Sequence, residues 1–300
     1  MKAFFNRAQE QFFDKNQTTT LKGICIILVF INHFFQYTAY PYHTVFLNLL
    51  GPVSVNIFFF VAGYTALLKL ERMKPEKYEF FLADRALRLY LPFTLIAITY
   101  SNFLTGVLCM YIASYLAYKF IGPKYRALFI FCMNLVFIIV CVRLKMGSWW
   151  YDRVIGYSFG AMFAVYRDHI MRLFQNKFSR RTIFLISLVC ASLLAFQMGQ
   201  NGKFYLLASI VFAFFECIFM LAFYYIFHFE MKIFIFIGNI SFEIFCIHQA
   251  LFVLLDSFVD SHYMLFIVSF AASVIISLIV QKLWNRILKA FKAVEEKAYK

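Results

Sequence analysis

Apolar runs of similar length, separated by short polar and mostly basic links, restrict this chain to one architecture before any other property is weighed. They fall at roughly residues 21–39, 48–68, 88–105, 106–121, 127–142, 152–168, 182–198, 205–228, 233–256 and 263–284. A helix needs about 20 apolar residues, within a range of about 17–25, to cross a bilayer. In hydrocarbon a single segment satisfies all of its own backbone groups only as a helix. The expected fold is therefore all-α, a polytopic membrane helical bundle of about ten transmembrane helices forming one domain over residues 1–300. The third and fourth spans depend on dividing the run at 89–121, for which Ser101, Asn102, Thr105 and Gly106 offer a tight turn. A soluble domain is excluded, because 63% of the residues are hydrophobic and 21% aromatic, against about 45–50% apolar in soluble domains.

The formal net charge of +14 is spread along the links and is not gathered into a patch. Positive-inside topology accounts for it, and no nucleic-acid partner is indicated. With ten spans and a cytoplasmic N-terminus, all but four of the 29 lysines and arginines fall inside, the exceptions being Arg143, Lys145, Arg153 and Lys203. Skipping the turn near Gly106 would send the densest basic link, YRDHIMRLFQNKFSRR, to the outside. Both termini are thus expected in the cytoplasm. Residues 1–20 are too polar for the apolar core of a secretory signal, so the first span is expected to be retained. Phe4, Phe5, Ala8 and Phe12 give this segment the pattern of a cytoplasmic interfacial helix. Residues 285–300 are expected to form a cytoplasmic tail, with Trp284, Leu288 and Phe291 along one side of a second interfacial helix. The seven cysteines lie in apolar runs without a CxxC pair, which fits small core residues and indicates neither a disulfide framework nor a metal site.

The stretch KGICIILVFINH places Lys22 and His33 eleven residues apart in the first span. On a helix that spacing is about three turns, with about 20° of angular drift and about 16.5 Å of rise, so both side chains share one face. Ionisable groups at such depth tend to line a pathway or pocket. Arg85 and Arg88, three apart, also share a helix face and suit the binding of an anion. Other polar groups in or beside the spans are Arg153 next to Asp152, Glu216, Glu243 and His248. His248 suits packing or an interhelical hydrogen bond, with Glu243 near enough in sequence to pair with it, and Arg153 suits an ion pair with Asp152 or an acceptor-side contact. Trp149, Trp150 and Tyr151 read as an interfacial aromatic belt.

Four segments resemble the motifs of the bacterial acyltransferase-3 family, integral membrane O-acyltransferases that act on cell-envelope carbohydrates. They are Lys22, ten intervening residues and His33; GPVSVNIFFFVAGY at 51–64; DRALRLYLP, with Arg85, Arg88 and Pro92; and FIGNISFEIFCIH, ending on His248. Arg153 and Gly160 supply a looser fifth match. The chain departs from the family pattern at Lys22, where arginine is usual, at Ala62, where serine is common, and at Phe242 and Phe245, where tyrosines are usual. It has no His-x-Trp-Phe-like segment.

The resemblance implies transfer of an acyl group, usually acetyl from acetyl-CoA, to a hydroxyl of an extracytoplasmic or lipid-linked carbohydrate, in the bacterial plasma membrane and without a metal. Lys22, Arg85 and Arg88 are then the expected binding set for the phosphates of acyl-CoA. His33 is the expected general base, and Asn32 a candidate donor to the oxyanion. Arg153, Glu243 and His248 are secondary candidates. The expected partners are acyl-CoA, the carbohydrate acceptor and the lipid bilayer. Two other readings stand beside this one. One is a glycan precursor transporter or flippase using His33, Glu216, Glu243 and His248 along its route, although no internal symmetry supports it. The other is a non-catalytic membrane component of a polysaccharide assembly machine.

Overall fold

Long apolar segments with few helix breakers form helices, and the computed structural model is built from them. It describes residues 13–39, 45–96, 101–198 and 205–298, without the side chains of 45–46, 90–96, 101–103, 149 and 290–298. Among the described residues there are eleven α-helices and no strand: α1 (Lys15–Tyr37), α2 (Val45–Arg72), α3 (Tyr78–Ile96), α4 (Ser101–Phe120), α5 (Arg126–Arg143), α6 (Ile155–Gln175), α7 (Lys177–Met198), α8 (Tyr205–Phe227), α9 (Lys232–Asn239), α10 (Ser241–Asp256) and α11 (His262–Ala298). Of these, α1, α2, α5, α7, α8 and α11 are long and apolar enough to cross a membrane. The bent pair α9–α10 makes a seventh if it is counted as one span, so the finding is six or seven such helices where about ten were expected. The shortfall has a compositional cause: α3 carries Glu79, Asp84, Arg85 and Arg88, α6 ends with Arg167, Asp168 and Arg172, and the apolar part of α4 is short.

The run at 89–121 is divided, but not where the residues suggested. Ser101 to Phe120 is continuous helix, so no turn falls at Ser101–Gly106. Gly106 is a packing glycine, facing Val154 and Phe59, and not a turn glycine. The two halves run antiparallel, as the pairings of Phe81 with Tyr111, Tyr78 with Tyr118 and Glu79 with Lys119 require. In consequence α4 lies parallel to α6, with Gly106 against Val154 and Ser114 against Tyr157.

Helices α2 and α6 also run parallel and form the densest packing in the bundle. Asn56 meets Gly156, and Gly160 lies flush on the backbone of Phe60 and Tyr64. A β-carbon at Gly160 would collide with the Phe60 carbonyl, so glycine is what lets these backbones approach. Phe13 locks the N-terminal end of α1 to this pair and to α8, its buried ring set edge-on against Phe60, Tyr64, Phe163 and Tyr224. Of the interfacial segment expected at 1–20, residues 1–12 lie outside the described residues, and 15–20 are not a separate helix but the first turns of α1. The expected one after Lys282 is the unbroken end of α11, and its Trp284 and Leu288 are buried. Of the residues expected to form an aromatic belt, Trp149 and Trp150 lie in a short 3-10 helix at Ser148–Trp150 and Tyr151 follows it.

Candidate active site

Helix α1 starts six residues before the apolar run that announced it. The Asp14 carboxylate accepts from the Gln17 backbone N–H at 2.9 Å, and the Gln17 side chain accepts from the Phe13 N–H at 2.6 Å, a reciprocal N-terminal cap. Thr18 and Thr19, poor helix formers, donate their hydroxyls back to the carbonyls of Asp14 and Lys15. The added turns bring Lys15, Thr18, Thr19 and Lys22 to one cavity of about 460 Å³, within the range of small-molecule sites. Arg85 and Arg88 of α3 line the same cavity, with Glu243 of α10 and Trp284 of α11. Residues from seven helices thus meet where the sequence could only suggest three cations on one side.

The cations are held differently. Arg85 rests over the rings of Phe81 and Tyr111, with 5.4 and 5.3 Å to the centroids, and its buried Nε has no hydrogen-bond partner. Among the described residues neither Lys22 nor Arg85 holds an ion pair within 4 Å. Arg88 shares Asp84 with Lys69, at 3.0 and 2.7 Å. The cavity is therefore rich in uncompensated positive charge, a setting that favours an anion. Glu243 is buried in the cavity wall and does not reach His248.

Asp84 lies before the third apolar run. Burial pushes its carboxyl up, but Lys69 and Arg88 outweigh burial and hold it below the usual carboxylate range. Because the folded value is the lower one, its contribution to stability is complete above about pH 4 and fades as pH falls through the folded value. Lys69 and Arg88 keep 38% and 41% of their side chains exposed, so water screens the cluster. Asp84→Asn is expected to cost about 1 kcal/mol at pH 7, and the difference from wild type should vanish at acid pH. Thermal melts in detergent from pH 7 to pH 3 measure it. A constant difference across that range would refute the assignment.

Deeper along α1, the His33 Nδ1 lies 2.8 Å from the Nε2 of His248. The ring planes are within 5° and the centroids 5.1 Å apart, so at this N–N distance the imidazoles lie edge to edge in nearly one plane. His248 is fully buried, and its Nδ1 sits 3.0 Å from the carbonyl oxygens of both Ile244 and Phe245. His33 is half-buried. Helices α1 and α10 run parallel here, with Phe30 edge-on to Phe252 at 4.9 Å and the Tyr37 hydroxyl donating to Asp256 at 3.0 Å. Phe58 and Phe245 line the cavity, and Phe245 also supplies one of the carbonyls facing His248. The cationic chamber and the histidine pair thus share a wall. That contact to His248 is made by backbone, so the missing tyrosine hydroxyl at position 245 leaves it intact.

Asn32 faces α2, its Nδ2 donating to the Leu47 carbonyl at 2.6 Å, so any oxyanion role would fall to the other amide hydrogen. Arg153 is not paired with Asp152, whose carboxylate accepts from the Tyr205 hydroxyl at 2.9 Å. Instead Arg153 lies over the Phe212 ring, its Nε and Nη1 buried without hydrogen-bond partners. Glu216 accepts from the Asn56 amide at 3.0 Å. Among the described residues no cluster of three His, Cys, Asp or Glu side chains could hold a metal ion. The interhelical hydrogen bond expected of His248 is present, but its partner His33 was not foreseen, although one signal pointed to it: of the six histidines, His33 and His248 lie in the interior of apolar runs, while His228 closes one and the other three lie outside.

Comparison with known families gives one match. The acyltransferase-3 family model, described as an acyltransferase domain, matches residues 18–108 and 103–282, a stretch that takes in both histidines and Lys22, Arg85 and Arg88. No curated protein and no solved structure matches the chain.

Proposed function

Because the chain belongs to the acyltransferase-3 family, we propose that this membrane acyltransferase takes an acyl group from acyl-CoA, acetyl in the simplest case. The group passes to a hydroxyl of an extracytoplasmic or lipid-linked carbohydrate. In this reading the chain crosses the bacterial plasma membrane ten times, with both termini and the cationic cavity on the cytoplasmic side.

The observation that carries the reading is the shared wall between a cationic cavity and a histidine pair. Lys22, Arg85 and Arg88 hold the phosphates of the donor. From Lys22 to His33 the rise along α1 is about 16.5 Å, a distance the pantetheine arm spans to present its thioester. His33 takes the proton of the acceptor hydroxyl as the oxygen bonds to the thioester carbon. When the tetrahedral intermediate collapses, the carbon–sulfur bond breaks and the proton returns to the leaving thiolate, giving CoA-SH.

The test is purified protein in nanodiscs, given acetyl-CoA and native lipid-linked saccharides, with free CoA thiol and acylated product measured together. Coupled appearance of the two supports the reading. Saccharide movement across the bilayer with no CoA release would overturn it in favour of a transporter. The donor site is tested separately. Lys22→Ala and Arg85→Ala should each raise the KM for acetyl-CoA about tenfold, the loss of one charge-assisted contact, with kcat nearly unchanged. Unchanged KM in both variants would remove the phosphates from this cavity.

A further inference from the structure

We infer that His248 is the positioning residue of the transfer base: it fixes which nitrogen of His33 is basic and shares the positive charge that forms there. This deepens the proposed function and rests on His33 being the base.

A carbonyl oxygen only accepts hydrogen bonds, and His248 Nδ1 faces two of them, those of Ile244 and Phe245. Nδ1 therefore carries the proton. The opposite tautomer would set a lone pair against two buried carbonyl oxygens, an uncompensated desolvation. In the neutral imidazole the lone pair is then on Nε2, the atom 2.8 Å from His33 Nδ1. His33 Nδ1 must be the donor of that bond. Its own lone pair is consequently on Nε2, and a nitrogen with a lone pair is what a general base requires. Two backbone carbonyls on α10 thus decide, through two coplanar rings, the basic atom on α1.

The same chain handles charge. When His33 Nε2 accepts the hydroxyl proton of the acceptor, its Nδ1–H shifts toward His248 Nε2. The cation is then spread over both rings, and the His248 Nδ1–H already points at two carbonyl dipoles. The rings of Phe30, Phe245 and Phe252, with centroids 5.9, 6.1 and 5.7 Å from that of His248, surround the acceptor ring with apolar surface and strengthen these contacts. As the carbon–sulfur bond breaks, the proton leaves His33 Nε2 for the thiolate and both rings return to their starting tautomers. Protons balance without another reactant.

The experiment compares wild type, His248→Phe and His248→Gln in nanodiscs, with acetyl-CoA as donor probe and CoA release as readout. Phenylalanine keeps the volume and removes the acceptor; glutamine restores an acceptor oxygen that cannot take a proton. Expected is a fall in kcat of about 100-fold for His248→Phe, the upper end of the loss when the partner that orients a functional histidine is removed, with the KM for acetyl-CoA within about twofold. His248→Gln should regain about tenfold. In 15N spectra of histidine-labelled wild type, His33 should carry its proton on Nδ1, and this preference should disappear in His248→Phe. The inference is overturned by full activity of His248→Phe alongside an inactive His33→Ala, or by wild-type spectra with the proton on His33 Nε2. Full activity of His33→Ala removes the base itself, while the spectra still decide the proton arrangement.

Discussion

His33→Ala is expected to lower acyl transfer by about 10²–10⁴-fold, the contribution of a positioned general base, and to leave binding of acetyl-CoA almost untouched. The separation follows from geometry, since Lys22 lies about three helical turns away on the same face of α1 and Arg85 and Arg88 stand on α3. The substitution leaves His248 Nε2 without its donor, which costs about 1–3 kcal/mol. Folding must therefore be verified by gel filtration and thermal melting, and His33→Gln, which keeps an amide near the imidazole position, serves as the second variant. Single-turnover CoA release separates chemistry from donor binding. Transfer at the wild-type rate in a folded His33→Ala protein would show that another group takes the proton.

The second large effect is structural. Gly23 of α1 lies flush against the Phe234 carbonyl of α9, and Gly238 of α9 lies flush against the Thr19 carbonyl of α1. The obstructing atoms are backbone on both sides, so no flexible side chain can swing away. Gly23→Val is expected to destabilise the fold by about 3 kcal/mol or more, the upper part of the range for overpacked cores, and to abolish a monodisperse species in detergent. Whatever protein does insert should lack acyl transfer, because α9 leads directly into α10 and hence into Glu243 and His248. Gly122→Val is the control: nothing lies within 4 Å of a β-carbon there, and its effect should stay within about 0.5 kcal/mol. Equal melting temperatures for the two variants would mean that α1 and α9 are not in this close contact.

Much of the architecture was legible because helix formation in an apolar run is a local matter. Hydropathy located the helices, and the charge distribution required the run at 89–121 to be two segments. The position of that division was not legible, since Gly106 is as compatible with close helix packing as with a turn, and only Val154 and Phe59 decide between them. The bend of 72° between α9 and α10 was hidden for a related reason. The stretch at 233–256 reads as one span, whereas in the fold it bends just after Gly238, which docks onto α1. Asp152 and Arg153, adjacent in sequence, suggested a local ion pair, whereas Tyr205 and Phe212 of α8 take the two side chains in different directions.

The sequence by itself determined that the chain is a helical membrane protein, that Lys22 and His33 share one face of its first helix, and that Arg85 and Arg88 share another. Each of these follows from residue type and helical period alone, Arg85 and Arg88 sharing a face of α3 and not of the first helix. Tertiary structure alone decided that the three cations meet in one chamber, that Glu243 belongs to that chamber and not to His248, and that His33 is bonded to a histidine 215 positions away. Such contacts depend on which helices dock and how closely their backbones approach. That is set by glycines and ring edges on several segments at once, a property of pairs of helices that no single segment contains.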